Sequence, residues 1–84
     1  MGYEYTLTVP KELRATVAKL ADAGISQIFE RLPADARNHV NLITVPEGLL
    51  LCDHLSHEST AAVALQRTVQ WLLQNAPQVT IEEA

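Results

Sequence analysis

The segment Val45-Pro46-Glu47-Gly48-Leu49 is the clearest local signal in the chain. Proline sets φ for a type I turn, and glycine suits the left-handed position of a three-residue hairpin loop. The segment therefore predicts a β-hairpin whose strands cover about residues 40 to 45 and 49 to 55.

The predicted hairpin has two apolar faces. If Val45 pairs with Leu49, each further pair steps outward by one residue on each strand. One face then carries Val45, Leu49, Ile43, Leu51, Asn41 and Asp53, and the other carries Thr44, Leu50, Leu42, Cys52, Val40 and His54. In an antiparallel sheet with helices on one side, the second face is usually polar and exposed to solvent. We therefore expect a cover on that second face, from segment 25–39, a second copy of the chain or a different protein.

The N-terminal third predicts a strand followed by a helix. Residues 3 to 9 alternate between apolar and polar, as a half-buried strand requires. An apolar stripe of helical spacing then runs from Pro10 until Gly24, which predicts a helix over about 10 to 23. Residues 25 to 32 fit a short helix or a strand, with the helix favoured, and 33 to 39 predict an exposed loop.

The C-terminal third predicts a helix and a short strand. Ser56 or Ser59 can cap a helix whose apolar stripe ends before Pro77, and residues 79 to 82 alternate as a strand does. Trp71 falls off that stripe, so it lies either at the flank of the core or on the surface as an interface anchor.

Together these elements predict one α+β domain over residues 1–84. The order is the βαββαβ of ferredoxin-like two-layer sandwiches, in which two main helices cover one face of a four-stranded antiparallel sheet. Segment 25–39 is expected as an insertion in that order.

Composition narrows the classes of partner. With 48% hydrophobic and 19% charged residues, the chain is too apolar to be disordered. Its net charge is −4 and its six Lys and Arg residues are scattered, which disfavours nucleic-acid binding.

The longest unbroken apolar stretch, Leu49 to Cys52, is too short to span a bilayer, so no membrane insertion is expected. The single cysteine and the absence of a signal-like start predict a cytoplasmic protein.

Cys52, His54 and His57 form the one chemically suggestive cluster. A strand places Cys52 and His54 on one face, and His57 follows at the strand-to-helix junction, so the three could bind Zn²⁺ or another transition metal. Glu58 or His39 could supply a fourth ligand. The alternative is that Cys52 packs as a small apolar residue and both histidines are surface residues.

Catalytic motifs are missing from the sequence. It contains no Gly-rich phosphate loop, no G-x-S-x-G and no H-E-x-x-H, so neither an enzyme nor a cofactor is expected. A Cys52 nucleophile with His54 as its base is disfavoured, because neighbouring side chains on one strand rarely reach the hydrogen-bond geometry that activates a thiolate.

One short passage suggests a ligand-sensing alternative. Leu20-Ala21-Asp22-Ala23-Gly24-Ile25 resembles the first helix-to-strand transition of ACT-type domains, which share this order of strands and helices. The resemblance implies small-ligand sensing. Those domains bind amino acids around a Pro-Gly turn before the first helix, where this chain has Pro10-Lys11, so no site residues carry over.

The main prediction is therefore a non-catalytic interaction or regulatory domain. It is expected to form a homodimer or to bind a protein partner through one apolar face of the hairpin, with Val40, Leu42, Leu50 and Cys52 at the interface.

Overall fold

The computed structural model of the protein describes residues 2–83. Its elements, in chain order, are β1 (Tyr3–Thr8), α1 (Arg14–Glu30), β2 (Val40–Val45), β3 (Gly48–Asp53), α2 (Glu58–Asn75) and β4 (Thr80–Glu83). Two short 3₁₀ turns, Lys11–Leu13 and Ala36–Asn38, precede α1 and β2. All four predicted strands are present, and β2 has the predicted bounds.

The strands form one antiparallel sheet in the order β2-β3-β1-β4. The hairpin strand β3 and the N-terminal strand β1 lie in the middle, and β2 and β4 form the two edges. The protein is thus an α+β domain with a four-stranded antiparallel sheet and two helices, as the sequence predicts at this level.

The predicted register of the hairpin is wrong by one residue. Val45 pairs with Gly48 and not with Leu49, which leaves a two-residue loop of Pro46 and Glu47. Gly48 is suited to this position because its φ is +155° and a Cβ there would lie 2.2 Å from the Leu7 carbonyl oxygen of β1. A shift of one residue moves every side chain of one strand to the other face of the sheet.

The corrected register separates a covered face from an open face. The covered face carries the buried strand residues, and these form one hydrophobic cluster with the buried residues of both helices. Its fully buried members include Leu7, Val40, Leu49 and Leu51. The open face, on the other side of the sheet, carries Ile43, Leu50 and Cys52 among others.

The helix α1 continues well beyond its predicted end. It runs through Gly24 to Glu30, so residues 25–30 belong to it and the predicted insertion at 25–39 shrinks to the connection after the helix. Glycine is required at position 24 because a Cβ would lie 2.2 Å from the Trp71 ring of α2. Gly24 therefore permits close helix packing and does not end α1, and the helix-to-strand transition that the ACT resemblance implies is not present.

The second helix begins at a histidine cap. His57 is the N-cap residue, and its Nδ1 accepts a hydrogen bond from the Thr60 amide at 3.2 Å. The predicted serine caps are therefore wrong. Trp71 is buried on the α1 side of this helix, which confirms the predicted placement at the flank of the core and not the surface alternative.

No helix within residues 2–83 combines the length and the apolar character needed to cross a membrane.

Candidate functional site: the open face of the sheet

The open face is built from alternate residues of all four strands. Cross-strand partners share a face, so the pairs Ile43 with Leu50 and Asn41 with Cys52 define it on β2 and β3. The remaining members, on β1 and β4, follow from the same pairing: Glu4, Thr6, Thr8, Thr80 and Glu82.

An apolar strip runs along the β2–β3 half of this face. Ile43 is 48% exposed although its β-branched side chain is typical of buried strands, and the neighbouring Val45, Leu50 and Cys52 are only partly buried. Both helices pack their buried residues against the opposite face. Within residues 2–83, therefore, the strip has no second layer over it.

The net negative charge of the chain lies on the sheet. All six Lys and Arg residues lie outside the four strands, where six Asp and Glu residues balance them. The strands carry four acidic residues and no basic one, so their charge of −4 equals the formal net charge of the whole chain. On the open face this leaves Glu4 and Glu82 beside the apolar strip. The surface is therefore apolar on the β2–β3 half and acidic on the β1–β4 half.

Cys52 lies where these two halves meet. Its Sγ is 3.7 Å from Glu4 Oε2, on the strand paired with β3. Partial burial raises the pKa of the Cys52 thiol above its ordinary value, and the Glu4 carboxylate raises it further. The side chain is therefore a neutral thiol at physiological pH, which suits a packing surface and opposes a thiolate nucleophile or ligand.

The four residues predicted for the interface lie on two faces. Val40 and Leu42 are buried beneath the helices, at 0% and 8% exposure, so they cannot contact a partner without unfolding. Leu50 and Cys52 lie on the open face. The one-residue register shift explains this division, because it exchanges the faces of the β2 side chains relative to β3.

The predicted metal ligands are not brought together. Cys52 contacts Glu4, His54 Nδ1 lies 3.2 Å from the Asn38 carbonyl oxygen, and His57 Nδ1 caps α2. Among the residues described, no three His, Cys, Asp or Glu side chains are placed to hold a metal ion.

A different polar cluster lies at the end of the sheet. His39 Nδ1 is 2.6 Å from Ser56 Oγ, and His39 Nε2 is 3.3 Å from Asp35 Oδ2. The His39 ring also packs on the His57 ring, with centroids 5.1 Å apart. This row resembles a hydrolytic triad in composition, but Ser56 is exposed and the Asp35 side chain is 62% exposed, so water competes for both hydrogen bonds. We interpret the row as a link that holds the 3₁₀ turn before β2 against the start of α2.

The acidic character of the face could have been found from the sequence. Once the strands are placed, counting their charged residues shows that none is basic. A count of charge over the whole chain does not reveal this, because the basic residues of the helices and loops offset most of the acidic ones. The division into an apolar half and an acidic half, by contrast, requires the strand order.

Comparison of the chain with protein-family models, with curated proteins and with solved structures found no match.

Proposed function

We propose that the protein is a non-catalytic interaction domain that docks the open face of its sheet onto a protein partner. The observation that carries the proposal is the exposed apolar strip of Ile43, Val45, Leu50 and Cys52 on a sheet whose opposite face packs against both helices. Contiguous apolar surface is costly to leave in water, and on small proteins it is typical of binding sites.

The proposed partner presents apolar side chains flanked by Lys or Arg. A second copy presents no basic residue on its own strands, so neither Glu4 nor Glu82 would gain an oppositely charged strand partner in a face-to-face homodimer. A basic partner gains from the same carboxylates, which also steer its approach. The charge distribution therefore favours a basic partner over the second copy.

We also propose that the architecture is ferredoxin-like. The βαββαβ order and a strand order with β1 and β3 at the centre support this assignment. In such a sheet the helices occupy one side, so the other side is available as a docking surface.

Photo-crosslinking from Cys52 tests the docking proposal. Cys52 is the only cysteine and lies on the open face, so a benzophenone maleimide attached there reports what covers that face. The labelled full chain is irradiated in lysate of the cells that express it, and the crosslinked peptides are sequenced by mass spectrometry. We expect adducts on apolar peptides with flanking Lys or Arg, at a yield that falls as salt is added.

Matched variants identify the surface that is responsible. Ile43→Asp should abolish the adduct, whereas Leu73→Asp, a substitution of a 50%-exposed leucine on α2, should retain it. Because the label itself changes the face, the experiment is repeated from Thr80→Cys in a Cys52→Ser background. Adducts between two copies of the chain would replace the basic partner with a homodimer, and adducts unaffected by Ile43→Asp would reject the open face altogether.

A further inference from the structure

A groove of about 160 Å³ lies between the end of α1 and the second half of α2. We refer to it as the outer groove because it opens on the helical side of the molecule, away from the open face of the sheet. The buried side chains of Ile28 and Trp71 contribute to its wall, and polar side chains from both helices form the remainder.

Two arginines meet in this groove without an ion-pair partner. Arg31 follows the last residue of α1 and Arg67 lies on α2, and both line the groove. The only ion pair among the described residues joins His39 and Asp35. A guanidinium stays charged at every physiological pH, so the groove concentrates positive charge in an acidic protein.

The Arg67 guanidinium has an unfilled donor. Its Nη1 donates to Gln70 Oε1 at 3.3 Å, but its Nε is buried and has no hydrogen-bond partner. It is the only buried side-chain nitrogen or oxygen within residues 2–83 without one. Because this Nε is closed to solvent, a ligand in the groove would contact Arg67 through its Nη groups, which carry the remaining N–H donors of the guanidinium.

The chemistry of the groove selects the acceptor. Guanidinium groups recognise carboxylates and phosphates through paired N–H donors. The Glu30 carboxylate also lines the groove, and the C-terminal end of α1 adds partial negative charge. These features penalise a doubly charged phosphate more than a singly charged carboxylate. The groove volume of about 160 Å³ suits a compact ligand.

We propose that Arg31 and Arg67 bind the carboxylate of a small organic acid in the outer groove, with the body of the ligand against Trp71. The site is separate from the proposed docking face and does not depend on it.

Trp71 provides a direct measurement, because it is the only tryptophan of the chain and lines the groove. Sodium acetate, sodium glutamate and sodium phosphate are titrated into the protein at constant ionic strength, with sodium chloride as the balancing salt, and the tryptophan emission is recorded. We expect a saturable change with a carboxylate and a weaker response to phosphate. A response no different from that of chloride would overturn the site, and tighter binding of phosphate would overturn the assignment to carboxylates.

Two arginine variants test the residues. Arg67→Gln and Arg31→Gln should each weaken carboxylate binding about tenfold or more, the size expected for loss of a charge-assisted hydrogen bond. Lys11→Gln removes a positive charge far from the groove and should leave the affinity unchanged. Arg31 is exposed, so its variant should fold even if loss of Arg67 perturbs α2, as circular dichroism will show. Unchanged affinity in the Arg31→Gln variant would reject the proposal.

Discussion

Leu42 and Ile43 are neighbours in β2, yet they occupy opposite environments. Leu42 is 8% exposed beneath the helices, and Ile43 is 48% exposed on the open face. Both are large and apolar, so their residue types do not distinguish a core position from a docking position. The difference shows that a single step along a strand, together with the register, decides whether an apolar side chain stabilises the fold or remains available for binding.

The largest expected effect comes from placing a carboxylate at each of these positions. Leu42→Asp should destabilise the fold by more than about 3 kcal/mol, because it removes core packing and buries an unpaired charge. Ile43→Asp should change the free energy of unfolding by less than about 1 kcal/mol, as is usual for surface substitutions. Urea denaturation followed by circular dichroism gives both values. Equal losses in the two variants would mean that the open face is covered in the isolated chain.

The periodicity of the sequence was sufficient to predict the elements but not the faces. The predicted bounds of β2 agree with Val40–Val45 because alternation is a local property. The hairpin register failed because Pro46-Glu47-Gly48 fits a three-residue loop as well as the two-residue loop found, and only the approach of β1 to Gly48 separates them. The interface residues were misplaced for the same reason.

The end of α1 could not be predicted because it depends on a distant residue. A glycine after an apolar stripe is a common helix terminator, and the local rule therefore predicted an end at Gly24. The contact with Trp71, 47 positions later in the numbering, makes glycine necessary within the helix. The outer groove could not be predicted from the sequence either, because Arg31 and Arg67 line one groove only when the two helices pack together.

A disulfide can test the register that assigns these faces. Asn41 lies opposite Cys52, so Asn41→Cys should form an intramolecular disulfide on oxidation, since opposed residues of paired strands have suitable separations. Closing this short loop should stabilise the fold by roughly 2–3 kcal/mol, less any strain. Mass spectrometry and free-thiol titration before and after reduction measure bond formation.

Leu42→Cys is the matched control for that disulfide. In the register predicted from the sequence, position 42 would lie opposite Cys52, but it pairs with Leu51 and faces the helices. The Leu42→Cys variant should therefore keep two free thiols under the same oxidising conditions. A disulfide in this variant and none in Asn41→Cys would restore the predicted register and return Leu42 to the same face as Cys52.

The smallest expected effect concerns the thiol where the apolar and acidic halves of the open face meet. Burial and then the Glu4 carboxylate raise the pKa of Cys52, so at a given pH less thiolate is present than for an ordinary cysteine. Glu4→Gln removes the negative charge but not the burial. The pKa should fall part of the way towards its ordinary value, and the pH profile of alkylation by iodoacetamide should move to lower pH.

The size of this shift separates the two causes of the raised pKa, burial and the Glu4 carboxylate. Glu82→Gln is the control, because Glu82 is on the same face but pairs with Thr6, and Glu4 is the carboxylate that contacts Cys52. We expect alkylation at pH 8 to accelerate severalfold in Glu4→Gln and to change little in Glu82→Gln. Equal acceleration in both variants would mean that the thiol responds to the overall negative charge of the sheet. No acceleration in either would assign the raised pKa to burial alone, and Cys52 would then belong to the apolar half of the open face without contact to the acidic half.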